Sequence, residues 1–361
     1  MSKIVISGYY GFANAGDEAM LTAIVKALRS KVPAAELTVI SGAPAVTAAR
    51  HRVASVHRFN FFRIFYAVAC CDLLLSGGGS LLQDVTSKRS LLYYLSILAL
   101  GRLLGKRVML YAQGIGPIRS GLLRRLTRLI AGSADAITVR DGDSLAELQR
   151  MGISDDKVRL TADAVLTLPQ GQKERGSELL QRFGIAPGQK LVAVSVRQWQ
   201  QGDAYLRQIA KAADAVAYEY GAQIVLLPLQ YPADMAACRR LKQLLSVKTK
   251  SVLLDAAYDT EDFLALMGNF HLLIGMRLHA LVFAALAGTP FVAVDYDPKV
   301  EAFVKLVDGV SGGKVEELEA GQLAAAVKAA LCQELKCGAL LAKLRQRAMA
   351  NAEIACGLLK K

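Results

Sequence analysis

Gly275-Met276-Arg277-Leu278-His279-Ala280-Leu281 places an arginine and a histidine two residues apart, where the short apolar run 272–274 gives way to a longer one closed by Gly288-Thr289-Pro290. Such a stretch reads as a buried strand, a tight turn at Gly275, and a helix over 277–287 stopped by a Gly–Pro breaker. Ligands of open α/β sheets bind at the carboxyl ends of strands, where the helix's unpaired N–H groups and positive dipole end attract anions. The same two side chains would also serve as caps on neighbouring carbonyls, so position alone leaves both roles open.

Every other notable polar cluster also follows an expected strand. Ser7-Gly8-Tyr9-Tyr10-Gly11-Phe12-Ala13-Asn14-Ala15-Gly16-Asp17-Glu18 is a glycine-punctuated loop delivering two adjacent carboxylates to a helix start. Glycines permit close backbone approach to a ligand, whereas acids in a first helical turn also satisfy ordinary capping. Ser76-Gly77-Gly78-Gly79-Ser80 and Ala112-Gln113-Gly114-Ile115-Gly116-Pro117 lack the Gly-Lys-Ser/Thr of a Walker loop and the complete dinucleotide fingerprint. Arg140-Asp141 follows the strand ending at Val139, and Arg197 with Trp199, the single tryptophan, follows the strand ending at Val196. Arginine's planar fork suits carboxylate or phosphate, and its ordinary role is pairing with a nearby acid, which Asp141 offers Arg140. Three arginines and a histidine thus stand at different strand ends, a set suited to a small ligand with more than one negative charge. His271 opens a core strand and is expected to be structural.

The elements that must carry these residues alternate. Strands are expected at 3–7, 37–41, 72–76, 107–111 and 136–139, with helices at 17–30, 61–70, 89–104, 121–132 and 143–151. Solidly apolar strands alternating with helices imply a parallel sheet covered on both faces. Residues 169–176 turn polar and aperiodic and read as a linker. A second series follows, with strands at 191–196, 223–227, 251–254, 272–274 and 291–294 and helices at 205–220, 233–245, 260–267 and 277–287. Beyond Pro298 the chain reads as helix to its end, apart from a break at Val310-Ser311-Gly312-Gly313-Lys314. The expected organisation is therefore α/β: two doubly wound Rossmann-like domains, 1–168 and 177–361, facing a cleft that holds ligands.

The 361 residues are long for one core, and a hydrophobic fraction of 53% with 21% charged residues supports large buried sheets rather than disorder. The longest apolar helical run, 91–100, is too short to cross a bilayer, and the start leads into a strand without a secretory pattern; a cytoplasmic protein is expected. Six cysteines without CxxC spacing and four histidines predict neither a metal site nor a disulfide framework. The net charge of +13 is uneven: residues 1–168 hold 21 Lys/Arg against 12 Asp/Glu, a net of +9. No nucleic-acid module accompanies it. Basic residues instead punctuate aromatic and apolar stretches, as at Arg58 and Arg63 among Phe59, Phe61, Phe62, Phe65 and Tyr66. That pattern suits peripheral contact with an anionic membrane or, more plainly, a solvated basic face.

As an ordered set, Gly8 to Phe12 through Gly16-Asp17-Glu18-Ala19, Ser76 to Ser80, Ala112 to Pro117, Val139-Arg140-Asp141 and Gly275 to Ala280 resemble the polysaccharide pyruvyl transferases, most closely the bacterial CsaB type. The resemblance runs from about Ile4 to Val300; Gln198 departs from it, standing where this group has proline between arginine and tryptophan. It implies a GT-B-like fold, with phosphoenolpyruvate as a co-substrate rather than a cofactor, and a pyruvate ketal installed on a sugar hydroxyl pair. The implied acceptor is a lipid-linked cell-wall glycan containing N-acetylmannosamine, whose pyruvylated polymer anchors surface-layer proteins. It also implies a donor site at Arg277, Leu278 and His279 in the C-terminal domain, leaving the N-terminal domain to the acceptor, at the inner face of the membrane.

Phosphoenolpyruvate carries a phosphate and a carboxylate and so needs two separated cationic contacts. Arg277 and His279 are expected to hold the phosphate and Arg140 the carboxylate, with Arg197, Asn14, Gly77, Gly78, Gly79 and Gln113 completing the binding set. Ketal formation needs general acid and base groups and demands no metal. Asp17, with Glu18 beside it, is the expected base and His279 the expected acid. The rival enzyme reading is a GT-B glycosyltransferase using a nucleotide sugar, and the rival of another class is a non-catalytic glycan-binding protein at the membrane surface.

Overall fold

The computed structural model describes residues 1–85, 87–153, 156–200, 202–332 and 337–360. The chain divides into two compact units: the first comprises Met1–Phe12, Asp17–Leu168 and Lys343–Lys361, the second Ala13–Gly16 and Pro169–Ala342.

The first unit is built on β1 (Lys3–Ser7), α1 (Ala15–Lys31), β2 (Glu36–Ser41), α2 (Pro44–His51), β3 (Ala54–His57), α3 (Phe61–Ala69) and β4 (Leu73–Ser76). It continues through β5 (Gly79–Leu82), α4 (Lys88–Leu103), β6 (Arg107–Ile115), α5 (Gly121–Ala131), β7 (Ala136–Val139), α6 (Gly142–Arg150) and β8 (Val158–Leu160). The sheet is parallel in the order β3-β2-β1-β4-β6-β7-β8, with β5 alongside the end of β6. Strands such as Leu73–Ser76 are buried throughout, which is why they read as continuous apolar runs rather than alternating ones.

The second unit follows with α7 (Lys173–Gln181), β9 (Leu191–Ser195), α8 (Ala204–Tyr220), β10 (Gln223–Leu226), α9 (Met235–Leu244), β11 (Ser251–Leu253) and α10 (Thr260–Met267). Then come β12 (Leu272–Gly275), α11 (Leu278–Ala287), β13 (Phe291–Asp295), α12 (Pro298–Leu306), β14 (Val310–Lys314) and α13 (Ala320–Cys332). Its sheet, also parallel, runs β11-β10-β9-β12-β13-β14. In both sheets the first strand of the unit pairs on one side with the second and on the other with the fourth, so strand order reverses at β1/β4 and at β9/β12. These reversals are where an open α/β sheet leaves a crevice for ligand. Two Rossmann-like, doubly wound sheets make this a GT-B-like α/β fold.

Four expectations are corrected. The run 107–111 extends to Ile115, because a register shift between Leu110 and Gln113, with Ala112 at φ 47°, lets β6 continue and pair with β5. Residues 310–314, read as a break in helix, are the edge strand β14; its Gly312 fits beside Val292 and Leu323, where a side chain would collide. The polar stretch 169–176 is no free linker: α7 begins within it, Gly171 and Gly176 lie directly on the α10 backbone, and Arg175 pairs with Asp262. Finally, α14 (Cys337–Leu359) does not stay with the second unit but joins the first from Lys343 onward. Part of the expected C-terminal helical run, residues 333–336, lies outside the described residues.

That last helix is fastened by polar contacts a helical pattern does not announce. Fully buried Asn351 donates from Nδ2 to the carbonyl of Ala162 and accepts at Oδ1 from Thr161 Oγ1, while Arg347 donates to the Thr161 carbonyl. A buried amide satisfied on both sides fixes one register where apolar packing alone would tolerate several.

Candidate functional site

In the second unit the reversal lies between β9 and β12, whose last residues Ser195 and Gly275 are in register. Arg197 and Arg277 each stand two residues beyond this pair. Apart from His279, the helix after β12 is apolar on every side, with Phe283 wholly buried and stacked on Phe263, and it stops at Gly288, which supplies the left-handed φ of 74°. Arg277 is its N-cap rather than its first helical residue, and with no side-chain cap of its own there its guanidinium is free to turn elsewhere.

It turns to Asp234. Nε donates to Asp234 Oδ2 at 3.0 Å, Nη2 donates to Oδ1, and Nη2 also donates to Gln230 Oε1 at 3.1 Å. Asp234 is only 1% exposed and accepts in addition from the Gln230 backbone N–H. A bidentate fork on a buried carboxylate fixes the guanidinium plane; Nη1 takes part in none of these bonds. Gln230 also pairs through its backbone with Asn14, whose side chain accepts from the Gly16 N–H at 3.1 Å. Asn14, expected to touch ligand, thus holds the loop that ends at Gly16. This loop belongs with the second unit, where the Ala15 N–H donates to the Leu229 carbonyl.

Gly16 lies against His279. A Cβ on Gly16 would sit 2.0 Å from the imidazole Nδ1, so only glycine leaves the ring its place. Leu278, between the two polar residues, is buried. Arg197 donates from Nη1 to the Tyr296 hydroxyl at 3.2 Å and lies 4.9 Å from that ring's centre, while Trp199 meets Tyr296 edge-on. Its Nε is buried without a hydrogen-bond partner among the described residues, as is Ser195 Oγ. At the end of β13, burial raises the Asp295 carboxyl above its ordinary range, against the lowering effect of the Ser311 hydroxyl that donates to it.

In the first unit the reversal falls between Ser7 and Ser76, again in register. The loop 76–80 is packed from several directions. Gly77 leaves room for the Tyr10 hydroxyl and Gly78 for the Met20 sulfur, each of which a Cβ would strike. Gly79, at φ 108°, has Asp17 Oδ1 3.2 Å from where its Cβ would be. Gln113, wholly buried, donates from Nε2 to Ser76 and Gly77. The bulge at Ala112 is what aims it there. Gln113, Gly77 and Gly78, expected to bind substrate, shape the loop through these contacts, and Gly79 has the Asp17 carboxylate beside it.

Glu18 and Arg140 each meet partners inside the first unit. Glu18 accepts from the Gly11 N–H at 2.7 Å and faces buried His51 and Arg50, so its carboxylate ties down the β1–α1 loop. Arg140, 6% exposed, pairs with Asp163 at 2.9 Å and Asp141 at 3.5 Å and donates to Ser80 Oγ at 3.1 Å. These partners, all within the first unit, hold the plane of its guanidinium.

Sequence reasoning missed Asp234 and Gln230, although they follow β10 as the other clusters follow their strands; the turn Gln230-Tyr231-Pro232 was the available signal. It also passed over Arg58 as an individual. That guanidinium lies over Tyr93 (4.7 Å), Phe59 (4.9 Å) and Phe12 (5.2 Å), with Nε buried and without a hydrogen-bond partner among the described residues. Phe12 in turn stacks on Tyr9 at 4.3 Å. Tyr10 and Tyr94 are buried nearby, and desolvation holds both phenols well above their usual range, so they remain neutral.

A sequence profile of the family described as polysaccharide pyruvyl transferase matches residues 14–298, from the loop on Gly16 to the start of α12. The amylovoran biosynthesis protein AmsJ of Erwinia amylovora is 26% identical over 244 residues, 63% of this chain; the chain spans 57% of that relative's length. Among solved structures, the S. aureus MnaA–UDP co-structure superposes with a TM-score of 0.67 at 13% identity, covering 98% of this chain and 94% of that one. The UDP-GlcNAc 2-epimerase of Methanocaldococcus jannaschii gives 0.68 at 12% identity, covering 93% and 94%. Anabaena HepE, in complex with UDP and glucose, gives 0.60 at 15% identity, covering 100% and 98%. At these identities the structural likeness is one of fold.

Proposed function

The chain belongs to the polysaccharide pyruvyl transferase family and is an enzyme, and from that premise we propose that it moves pyruvate from phosphoenolpyruvate onto a hydroxyl pair of a glycan, forming a ketal and releasing phosphate. Within the family we assign it to the CsaB type, with N-acetylmannosamine of a lipid-linked cell-wall precursor as acceptor and surface-layer anchoring as the use of the product. An acceptor carried on lipid brings peripheral contact with the inner face of the membrane into the same reading.

The observation that carries the assignment of roles is the contact between Gly16 and His279. It fixes the imidazole against the residue that immediately precedes Asp17 in the chain. Donor phosphate is assigned to Arg277 and the start of α11, where a guanidinium held by Asp234 and the first-turn amides offer a fixed cationic cradle. Donor carboxylate is assigned to Arg140 or to Arg197, the latter standing at the strand end registered with that of Arg277.

The donor's methylene carbon gains a proton and becomes a methyl group. One acceptor hydroxyl, deprotonated by Asp17, forms the first bond to the central carbon; the carbon–oxygen bond to phosphate breaks; the second hydroxyl forms the second bond and gives up its proton. His279 protonates the departing phosphate or the methylene carbon. Glu18 positions the loop, and Arg58 is assigned to an anionic group of the acceptor. The reaction requires no cofactor beyond the co-substrate.

Incubation with phosphoenolpyruvate and a lipid-linked disaccharide, followed by mass spectrometry, tests this reading: a pyruvyl ketal and an equivalent of phosphate are expected. No adduct with that donor, together with glycosyl transfer from a UDP-sugar in a parallel reaction, would overturn it.

A further inference from the structure

The helix α3 presents its aromatic residues outward. Only Ile64 and Val68, one turn apart, face the core, whereas Phe61, Phe62, Phe65 and Tyr66 are 63%, 91%, 51% and 72% exposed. Residues four apart share a helix face, so Phe61–Phe65 and Phe62–Tyr66 form two adjoining columns and make one continuous aromatic stripe. The helix is firmly started, with Asn60 as N-cap accepting from the Arg63 N–H, so the stripe belongs to formed structure. Exposure of four large aromatics on nine residues is far outside what a solvated surface carries without a use.

The charges around the stripe identify what covers it. α3 packs on α4, and α4 on α5. None of these three helices contains an aspartate or glutamate, while together they hold Arg63, Lys88, Arg89, Arg102, Arg124, Arg125 and Arg128. Arg102 and Arg124 are committed to Asp135 and Glu147; Arg63, Arg89 and Arg125 are exposed and form no ion pair with a described residue. Leu92, Leu103, Leu122 and Leu129 add exposed apolar side chains to the same helices. A protein partner is met by mixed charges around an apolar centre, whereas aromatics among cations of a single sign suit an anionic headgroup layer, with the rings at the acyl boundary.

We propose that α3, flanked by the acid-free helices α4 and α5, seats the first unit on an anionic lipid bilayer. Phe61, Phe62, Phe65 and Tyr66 enter the interface and Arg63, Arg89 and Arg125 contact lipid phosphates. The inference does not depend on the pyruvyl reading, since neither donor nor glycan takes part in it.

The test is flotation of the full chain with vesicles of phosphatidylcholine alone and with added phosphatidylglycerol. Binding is expected only to the anionic vesicles and to weaken with salt. The double variant Phe62→Ser with Phe65→Ser should lose at least tenfold in partitioning, Arg63→Gln with Arg125→Gln severalfold, and both should unfold at the wild-type temperature because these side chains are exposed. Equal flotation of wild type and the aromatic variant, or none of the wild type with anionic vesicles at low salt, overturns the proposal. So does a concentration-dependent dimer that the aromatic variant abolishes, which would make the stripe an interface between copies of the chain. Pyruvyl transfer to a short, soluble acceptor should be unchanged in these variants. Its absence in every protein would count against the proposed reaction and leave the membrane face standing.

Discussion

The backbone of Gly16 lies against the imidazole of His279, so closely that a methyl group on Gly16 would fall 2.0 Å from Nδ1. Glycine is required here by a side chain more than 260 positions away rather than by local backbone geometry. Gly16→Ala must displace the ring or the loop, with a stability cost of roughly 1–3 kcal/mol by overpacking. Pyruvyl transfer is expected to fall at least about tenfold, since catalytic groups lose rate with small displacements. Thermal unfolding together with initial rates checks both; an unchanged rate would separate His279 from the chemistry.

Asp234 is expected to govern Arg277. Removing one partner of a buried pair leaves an uncompensated charge and costs about 3–5 kcal/mol, so Asp234→Ala should shift the urea midpoint markedly. Asp234→Asn keeps the shape and offers only one acceptor oxygen to the fork, so it should preserve folding better while raising KM for phosphoenolpyruvate. Equal KM in Asp234→Asn and wild type would mean that the fork does not position a donor-binding arginine.

The two acids at the start of α1 should behave differently. Asp17→Asn removes the assigned base and is expected to lower kcat on the order of 10²-fold or more. Glu18→Gln retains an acceptor for the Gly11 N–H and should lose severalfold at most, whereas Glu18→Ala leaves that N–H unpaired, at a cost of about 1–3 kcal/mol. Steady-state rates with denaturant titrations distinguish the pair, and a larger kcat loss in Glu18→Gln than in Asp17→Asn would reverse the assignment.

Asp295 gives a pH dependence with a definite sign. Burial raises its folded carboxyl above the unfolded value, so the native state binds more protons in the interval between the two. Stability contributed by the neutral acid is present below the unfolded pKa and declines as pH rises through the raised one. Asp295→Asn should therefore flatten the stability profile between acidic and neutral pH and gain most, relative to wild type, at neutral pH. Parallel profiles for the two proteins would contradict this.

Arg58→Gln is expected to raise KM for the glycan acceptor and leave KM for phosphoenolpyruvate near wild type. The guanidinium lies over three rings of the first unit and forms no ion pair with a described residue. A rise in the donor KM instead would place Arg58 on the other substrate.

Much of this was legible in the chain. Continuous apolar strands, each followed by a helix, determined two parallel sheets, and the polar clusters announced themselves by falling after strands. The family emerged from the order of those clusters. What the sequence could not supply were the partners. Arg140 and Arg277 look alike in the chain, each an arginine after a strand; in the fold one bonds Asp163 and Ser80, the other Asp234 and Gln230. Gln113 and Gly77 read as ligand contacts because strand-end loops usually are, yet a bulge at Ala112 turns the amide inward. Glu18 and Asp17 are neighbours in sequence and face different surroundings. Periodicity and turn chemistry are local and survive in one dimension. Which charge meets which, and which glycine faces a histidine, depends on contacts between distant segments, and those the tertiary structure alone decided.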